Sequence, residues 1–207
     1  MRLLIATTNQ DKLREIRGLL ARLPVELASL RDYPQSQEPE ETGATFQENA
    51  RLKALYYATL TKADVNVGPY TTPPYTVAED SGLVVDALDG EPGVHSARFL
   101  RPDASYPERF AEIYRRMAER PTRPRSARFV CAVAVVKDGE IVYETTGIVE
   151  GEIAAAPSGG AGFGYDPIFH FPPYGCTLAE VTEEKKLHVA HRGQAFRALT
   201  DWLKGRL

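Results

Sequence analysis

The stretch RLLIATTNQDKLREIRGLLARLP, residues 2–24, decides the fold class. Its first residues, Arg2 to Thr8, read as an apolar run that Asn9 ends, the pattern of a strand covered on both faces. Leu13, Ile16, Leu20 and Leu23 then recur at intervals of three and four, which predicts an amphipathic helix stopped by Pro24. Strand, tight polar turn and helix in this order make an α/β opening.

The pattern continues outward from there. Thr45 and Glu48 have capping-box spacing, with Phe46, Leu52, Leu55 and Tyr56 as the apolar stripe of a second helix. Residues 65–75, VNVGPYTTPPY, carry three prolines and a glycine and read as a surface insertion, since proline lacks a ladder donor. Apolar runs at Thr76 to Ala78 and Leu83 to Leu88 flank Glu79-Asp80-Ser81-Gly82, placing four polar or small residues where a strand is expected to break. A helix from Tyr106 to Glu119 follows, then a strand from Ala127 to Val136 that is apolar at nearly every position. Asp138-Gly139 predicts a hairpin into Ile141 to Ile153, which makes the sheet mixed. Residues 157–175 are loop-rich, a short helix follows near Thr182, and a final helix begins near His191 with Ala195, Phe196, Leu199, Trp202 and Leu203 on one face. The expected fold is α/β, a mixed sheet with flanking helices.

Composition bounds the function. A chain of 207 residues with 43% hydrophobic and 26% charged residues is long enough for a core without disulfides, and it has no apolar run of about 20 residues to span a bilayer. The first residues lack a signal-peptide core, so the expected location is cytoplasmic. Cys131 and Cys176 have no metal-ligand spacing and read as free thiols. A net charge of −3 argues against a nucleic-acid polymer as partner. The charge is nonetheless uneven: Asp32 to Glu48 holds five acids and no base, whereas Arg98 to Arg128 holds nine arginines against four acids. Either segment reads as a solvated face, or the acids as a metal-holding edge and the arginines as an anion-facing or surface helix.

Four constellations could carry chemistry. The turn Thr7-Thr8-Asn9-Gln10-Asp11-Lys12 opens a helix, where unpaired N–H groups, the helix dipole and Lys12 suit a phosphate. The same residues also fit a plain Asn9 or Thr8 cap with Lys12 in solvent. Glu79-Asp80-Ser81-Gly82 would lie at a strand end, where paired carboxylates can hold Mg²⁺ or activate water, with Glu40 and Glu41 as further oxygen ligands; an ordinary acidic turn is the alternative. Gly159, Gly160, Gly162 and Gly164 surround Phe163 and precede Tyr165 and Asp166, a loop that could approach and stack on a planar base. Lys186, His191 and Arg192 offer cationic donors, though His191 in isolation reads first as a cap or core residue.

Taken in order, TTNQDKLREI, EETGATFQENARLKA, AEDSGLVVDALDGEPGVHSARF, GFGYDPIF and KKLHVAHRGQA resemble the inosine triphosphate pyrophosphatase family, the Ham1-like non-canonical purine NTP pyrophosphatases. The match runs from Leu3 to Leu203. The resemblance implies one domain over residues 1–207, elongated, with two lobes around a central cleft, acting as a homodimer with Mg²⁺. It implies hydrolysis of dITP, ITP and XTP to the monophosphate and pyrophosphate, removing deaminated purines from the nucleotide pool. Thr7, Thr8, Asn9, Gln10, Asp11 and Lys12 match the triphosphate motif. Asp80 matches the general base with a role at the metal, and Ser81 a substrate contact. Glu40 and Glu41 both fit the glutamate that helps hold the metal. Phe163, Gly164, Tyr165, Asp166, Lys186, His191 and Arg192 match base and substrate contacts.

Under that reading Asp80 activates water against the α-phosphorus, while Mg²⁺, Lys12 and Lys53 meet the charge on departing pyrophosphate. Donors at Arg192 or His191 facing a 6-oxo group would reject adenine by being left unpaired, a penalty of about 1–3 kcal/mol. The chain departs from the family at Ala190, commonly serine, at Glu79, commonly aspartate, and in the insertion Asn66 to Tyr75. The alternatives are a Maf-like pyrophosphatase for modified pyrimidines, which the FGYDPIF and HRGQA motifs oppose, and a non-catalytic nucleotide sensor, which the retained acids oppose.

Overall fold

The computed structural model describes residues 1–33, 37–63 and 75–207. In chain order its elements are β1 (Arg2–Ile5), α1 (Gln10–Leu20), β2 (Glu26–Ser29), α2 (Phe46–Ala63), β3 (Tyr75–Val85), α3 (Tyr106–Ala118), β4 (Ser126–Lys137), β5 (Glu140–Ile153), β6 (Phe169–Phe171), β7 (Cys176–Thr177), α4 (Glu183–Val189) and α5 (His191–Lys204). The strands form one sheet in the order β2-β1-β3-β4-β5-β6-β7. Strand β1 is parallel to both β2 and β3, whereas β5–β6 and β6–β7 are antiparallel, so the sheet is mixed as expected. Asp138 and Gly139, with φ of 54° and 91°, make the two-residue turn between β4 and β5. Residues 64–74 lie outside the described residues, and with them all of the expected insertion except Tyr75, which opens β3.

The chain partitions into two compact units. The first comprises Met1–Asp80, Cys131–Gly147 and Arg192–Leu207, and the second Ser81–Val130 and Ile148–His191. In the first, side-chain alternation along the strands builds a core on each sheet face. Leu3, Ile5, Val77, Cys131, Val133 and Val135 meet Leu13, Ile16 and Leu20 of α1 and Phe196, Leu199 and Leu203 of α5. Leu4, Ala6, Ala78, Ala132, Ala134 and Val136 meet Ala50, Ala54 and Tyr57 of α2. The second unit has its own core, in which Phe110, Ile113 and Met117 of α3 pack with Leu83, Val85, Phe129, Phe169 and Leu178.

Two expectations need correction. Strand β3 does not break at Glu79-Asp80-Ser81-Gly82 but runs through them to Val85, and a 3₁₀ turn takes Asp86–Leu88. Cationic side chains on both faces make this possible, because a carboxylate can occupy a central strand once a partner offsets its desolvation. The apolar stripe of α2 is also rotated. Its buried face is Asn49, Ala50, Lys53, Ala54, Tyr57 and Ala58, while Leu55 is 38% exposed. Alanines at 50, 54 and 58 let the helix lie close on the sheet, where larger residues would hold it off.

Several arginines of the Arg98 to Arg128 segment form ion pairs with nearby acids, whereas Arg109 is buried and donates to the Pro102 carbonyl. Arg115 and Arg116 both bind Glu112, at 2.8 and 2.6 Å. Arg120 and Arg123 share Asp89, and Arg128 pairs with Asp86. These arginines therefore have nearby counter-charges. Among the described residues, no helix is long and apolar enough to cross a membrane.

Candidate active site

Alternation along β3 sends its two adjacent acids to opposite faces of the first unit. Glu79, on the α1 and α5 side, is 3% exposed. It meets Lys12 Nζ at 2.9 Å and Arg192 at 3.3 Å, and accepts a hydrogen bond from Cys131 Sγ at 3.0 Å. Arg192 is fully buried and also binds Glu15 Oε2 at 2.6 Å. Burial alone would raise the Glu79 pKa, but Arg192 and Lys12 overcome that and hold it well below the ordinary carboxylate value. Burial and the neighbouring Glu79 charge push the Cys131 thiol well up, so it serves there as a neutral donor.

Asp80 faces α2. Lys53 Nζ reaches Asp80 Oδ1 at 3.0 Å and Glu41 Oε1 at 2.6 Å, and Asn49 Nδ2 donates to Asp80 Oδ2 at 3.3 Å. Burial raises the Asp80 pKa, opposed by Lys53 and Lys12 and assisted by Glu41. For Lys53, burial opposes the charged form, yet Asp80 and Glu41 together raise its pKa. The site thus pairs a buried carboxylate of increased basicity with an ammonium that stays charged.

The opening turn is capped by Asn9, whose Oδ1 accepts from Asp11 N at 3.0 Å and Lys12 N at 3.1 Å. Lys12, however, turns inward to Glu79 instead of into solvent. Thr8 Oγ1 donates to Glu38 Oε1 at 3.2 Å, and Asn9 N to Thr7 Oγ1 at 3.3 Å. Gln10 donates to the Thr8 carbonyl and accepts from Arg31, while Asp11 pairs with Arg14 on the helix surface. Of the six motif residues, the turn thus joins Lys12 alone by a direct ion pair to the β3 acids. Glu41 reaches Lys53, whereas Glu40 is exposed.

In the second unit, Asp166 and Lys186 form a buried pair at 2.6 Å with both side chains 3% exposed. Asp166 Oδ2 also accepts from Phe163 N at 2.8 Å, and Lys186 Nζ stands 4.7 Å from the Phe163 ring centroid. Tyr165 donates to the Ser96 carbonyl at 2.8 Å, and Gly164 precedes it with φ of 66°. His191 stacks on Phe129 with ring centroids 4.9 Å apart. Ser81 is half-buried on β3, next in sequence to Asp80. Arg192, the residue after His191, pairs with Glu15 and Glu79.

Sequence reasoning missed Glu15, Asn49 and Ser96. Glu15 had a signal, since an acid beside Ile16 lies near the apolar stripe of α1. Asn49 is likewise a polar residue on a helix face directed at the sheet. Nothing in the spacing marked Ser96.

Fold and site together define an α/β protein in which a strand–turn–helix opening and the acid pair Glu79-Asp80 of an inner strand belong to one compact unit. The chain belongs to the Ham1 family, whose model matches residues 3–202. It is 44% identical over 199 residues to a dITP/XTP pyrophosphatase of an Exiguobacterium species, covering 96% of this chain and 95% of the relative. A dITP/XTP pyrophosphatase of Geobacter sulfurreducens is 43% identical over 202 residues, covering 98% and 96%. Among solved structures, a HAM1 protein from Coxiella burnetii has a TM-score of 0.87 at 34% identity over 99% of both chains.

Proposed function

We propose that this chain, acting over residues 1–207 as one catalytic domain, hydrolyses the non-canonical purine triphosphates dITP, ITP and XTP to the monophosphate and pyrophosphate. The observation that carries the reading is the strand β3 pair: Asp80 buried beside Lys53 and Glu41, and Glu79 holding Lys12. Its relatives' names point to the same reaction.

Asp80 is the general base. In the metal-free chain burial raises its pKa, and a central strand fixes its direction toward the water it would activate. It takes the proton of a water that attacks the α-phosphorus. Lys12 and Lys53 then meet the charge that develops on departing pyrophosphate. Lys12 remains oriented through Glu79, so less reorganisation accompanies that step.

The donor set fits Mg²⁺. Glu41 and Asp80 converge on one ammonium at 2.6 and 3.0 Å, so both are placed to share a cation. Both are hard oxygen donors, and Mg²⁺ commonly takes one or two carboxylates together with substrate phosphates and water. Glu41, not the exposed Glu40, is its glutamate ligand in this reading. Bound there, Mg²⁺ would neutralise and clamp triphosphate oxygens.

The turn residues Thr7 to Lys12 and Ser81 contact the triphosphate, while Phe163, Gly164, Tyr165, Asp166, Lys186 and His191 read the base. Arg192, paired with Glu79 and Glu15, belongs to the same substrate-contact set. The reading includes a homodimer and a cytoplasmic location, where the nucleotide pool lies and the free thiols Cys131 and Cys176 remain reduced.

The test is a substrate panel with Mg²⁺. ITP, dITP and XTP should yield pyrophosphate far faster than ATP or GTP. ATP turnover equal to that of ITP, or orthophosphate as the first product, overturns the proposal.

A further inference from the structure

Asn49 is 0% exposed on the face of α2 that meets the sheet, a position at which an apolar residue would be expected. Both ends of its amide are used. Oδ1 accepts from the Gly43 backbone N–H at 2.8 Å, and Nδ2 donates to Asp80 Oδ2 at 3.3 Å. One rigid side chain therefore links the loop bearing Glu41 to the carboxylate on β3. Gly43 permits the link, since a Cβ there would stand 2.6 Å from Asn49 Oδ1 and 2.7 Å from Glu48 Cβ.

Lys53 also bridges Glu41 and Asp80. The two bridges have different capacities. A lysine ammonium is a rotatable point charge on a flexible stem and can follow either carboxylate as they separate. The Asn49 amide is planar, with its donor and acceptor at a fixed separation, and lies in the first turn of a capped helix. Lys53 and Asn49 also address different oxygens of Asp80, which defines the plane of the carboxylate as well as its position.

We propose that Asn49 is a positioning residue: its amide sets the carboxylate plane of Asp80 and holds the Glu41 loop in register with it, so that the two acids are preorganised for a shared divalent cation and an attacking water. The inference rests on the reaction proposed above, and its chemistry is placement, since Asn49 neither gains nor loses a proton. A misplacement of about 1 Å at a reacting group can cost about 100-fold in rate.

The test compares Asn49→Leu and Asn49→Asp with the parent chain. Leucine removes both contacts, while aspartate keeps the acceptor for Gly43 N–H but turns a carboxylate toward Asp80. Both variants should lose about 100-fold in kcat on ITP with little change in KM, the split expected for groups aligned only in the transition state. Mn²⁺, titrated alone into the protein and followed by water-proton relaxation, should bind several-fold more weakly to Asn49→Leu. Melting curves identify the folded samples. A folded Asn49→Asp with parental kcat, or an Asn49→Leu that loses only melting temperature while keeping kcat and Mn²⁺ affinity, overturns the role. If Asn49→Leu does not fold, Asn49→Asp decides alone through its kcat. If the parent chain does not turn over ITP, the functional reading fails separately, and the Mn²⁺ comparison then decides for or against Asn49.

Discussion

Replacing Glu79 by glutamine keeps the side chain's shape and removes its charge from a buried network. In the parent chain, Glu79 is 3% exposed and meets Lys12 at 2.9 Å and Arg192 at 3.3 Å. Removing one member of a buried ion pair costs about 3–5 kcal/mol, mostly because the other charge is left uncompensated. Here Arg192 keeps Glu15 at 2.6 Å, so the lower end, about 3 kcal/mol, is expected for Glu79→Gln at neutral pH.

The pH dependence supplies a second handle. Burial raises the Glu79 pKa, but Arg192 and Lys12 outweigh it and leave the folded-state value well below 4.5. A depressed folded pKa stabilises the protein fully above the unfolded value and loses that stabilisation as pH falls. The loss is about 1.4 kcal/mol per pH unit. Urea unfolding at about pH 7 and about pH 3.5 should therefore show the gap between parent and variant narrowing by roughly 1 kcal/mol. A gap under about 1 kcal/mol at neutral pH, or one that is identical at both pH values, would refute the reasoning.

Other perturbations address separate parts of the structure. Asp80→Asn should abolish turnover while calorimetry still detects ITP binding; general-base removal costs about 10²–10⁴-fold, and parental activity would dismiss Asp80 as the base. Gly82→Ala would place a Cβ 2.6 Å from the Gly93 carbonyl oxygen and 2.9 Å from Ser96 Cβ. That overpacking should cost about 1–3 kcal/mol in denaturant unfolding, with an unchanged midpoint as the contrary result. Lys186→Met removes the ammonium partner of the buried Asp166 carboxylate, which keeps the Phe163 N–H, so a destabilisation of about 3 kcal/mol is expected. A parental melting temperature would show that the pair is dispensable.

What was legible in the sequence was largely local. The Leu13, Ile16 and Leu20 spacing carried α1, and Thr45 and Glu48 form the capping bonds expected at the start of α2, with Glu48 N to Thr45 Oγ1 at 3.1 Å. Asp138-Gly139 carried the hairpin. The stripe of α2 was misread because hydrophobicity alone favoured Leu55 over Ala50 and Ala54, although packing against a sheet can favour small residues. Strand β3 looked broken because two adjacent acids resemble a turn until their cations are known. Those cations come from α1, α2 and α5, and Arg192 lies 177 residues from Glu15. Strands β2, β6 and β7, of four, three and two residues, are too short for periodicity to mark.

The matching motifs name candidate site residues more finely than spacing can, but they leave Glu40 and Glu41 equivalent. The two side chains differ in surroundings: Glu41 reaches Lys53, and Glu40 is exposed. Arg192 also pairs with Glu79, the partner of Lys12.

The most direct test of Asp80-assisted attack at the α-phosphorus is to hydrolyse ITP in ¹⁸O-water with Mg²⁺ and examine both products by mass spectrometry. The account predicts one ¹⁸O atom in the inosine monophosphate and unlabelled pyrophosphate. Label in the pyrophosphate, or release of labelled orthophosphate as the first product, would contradict it.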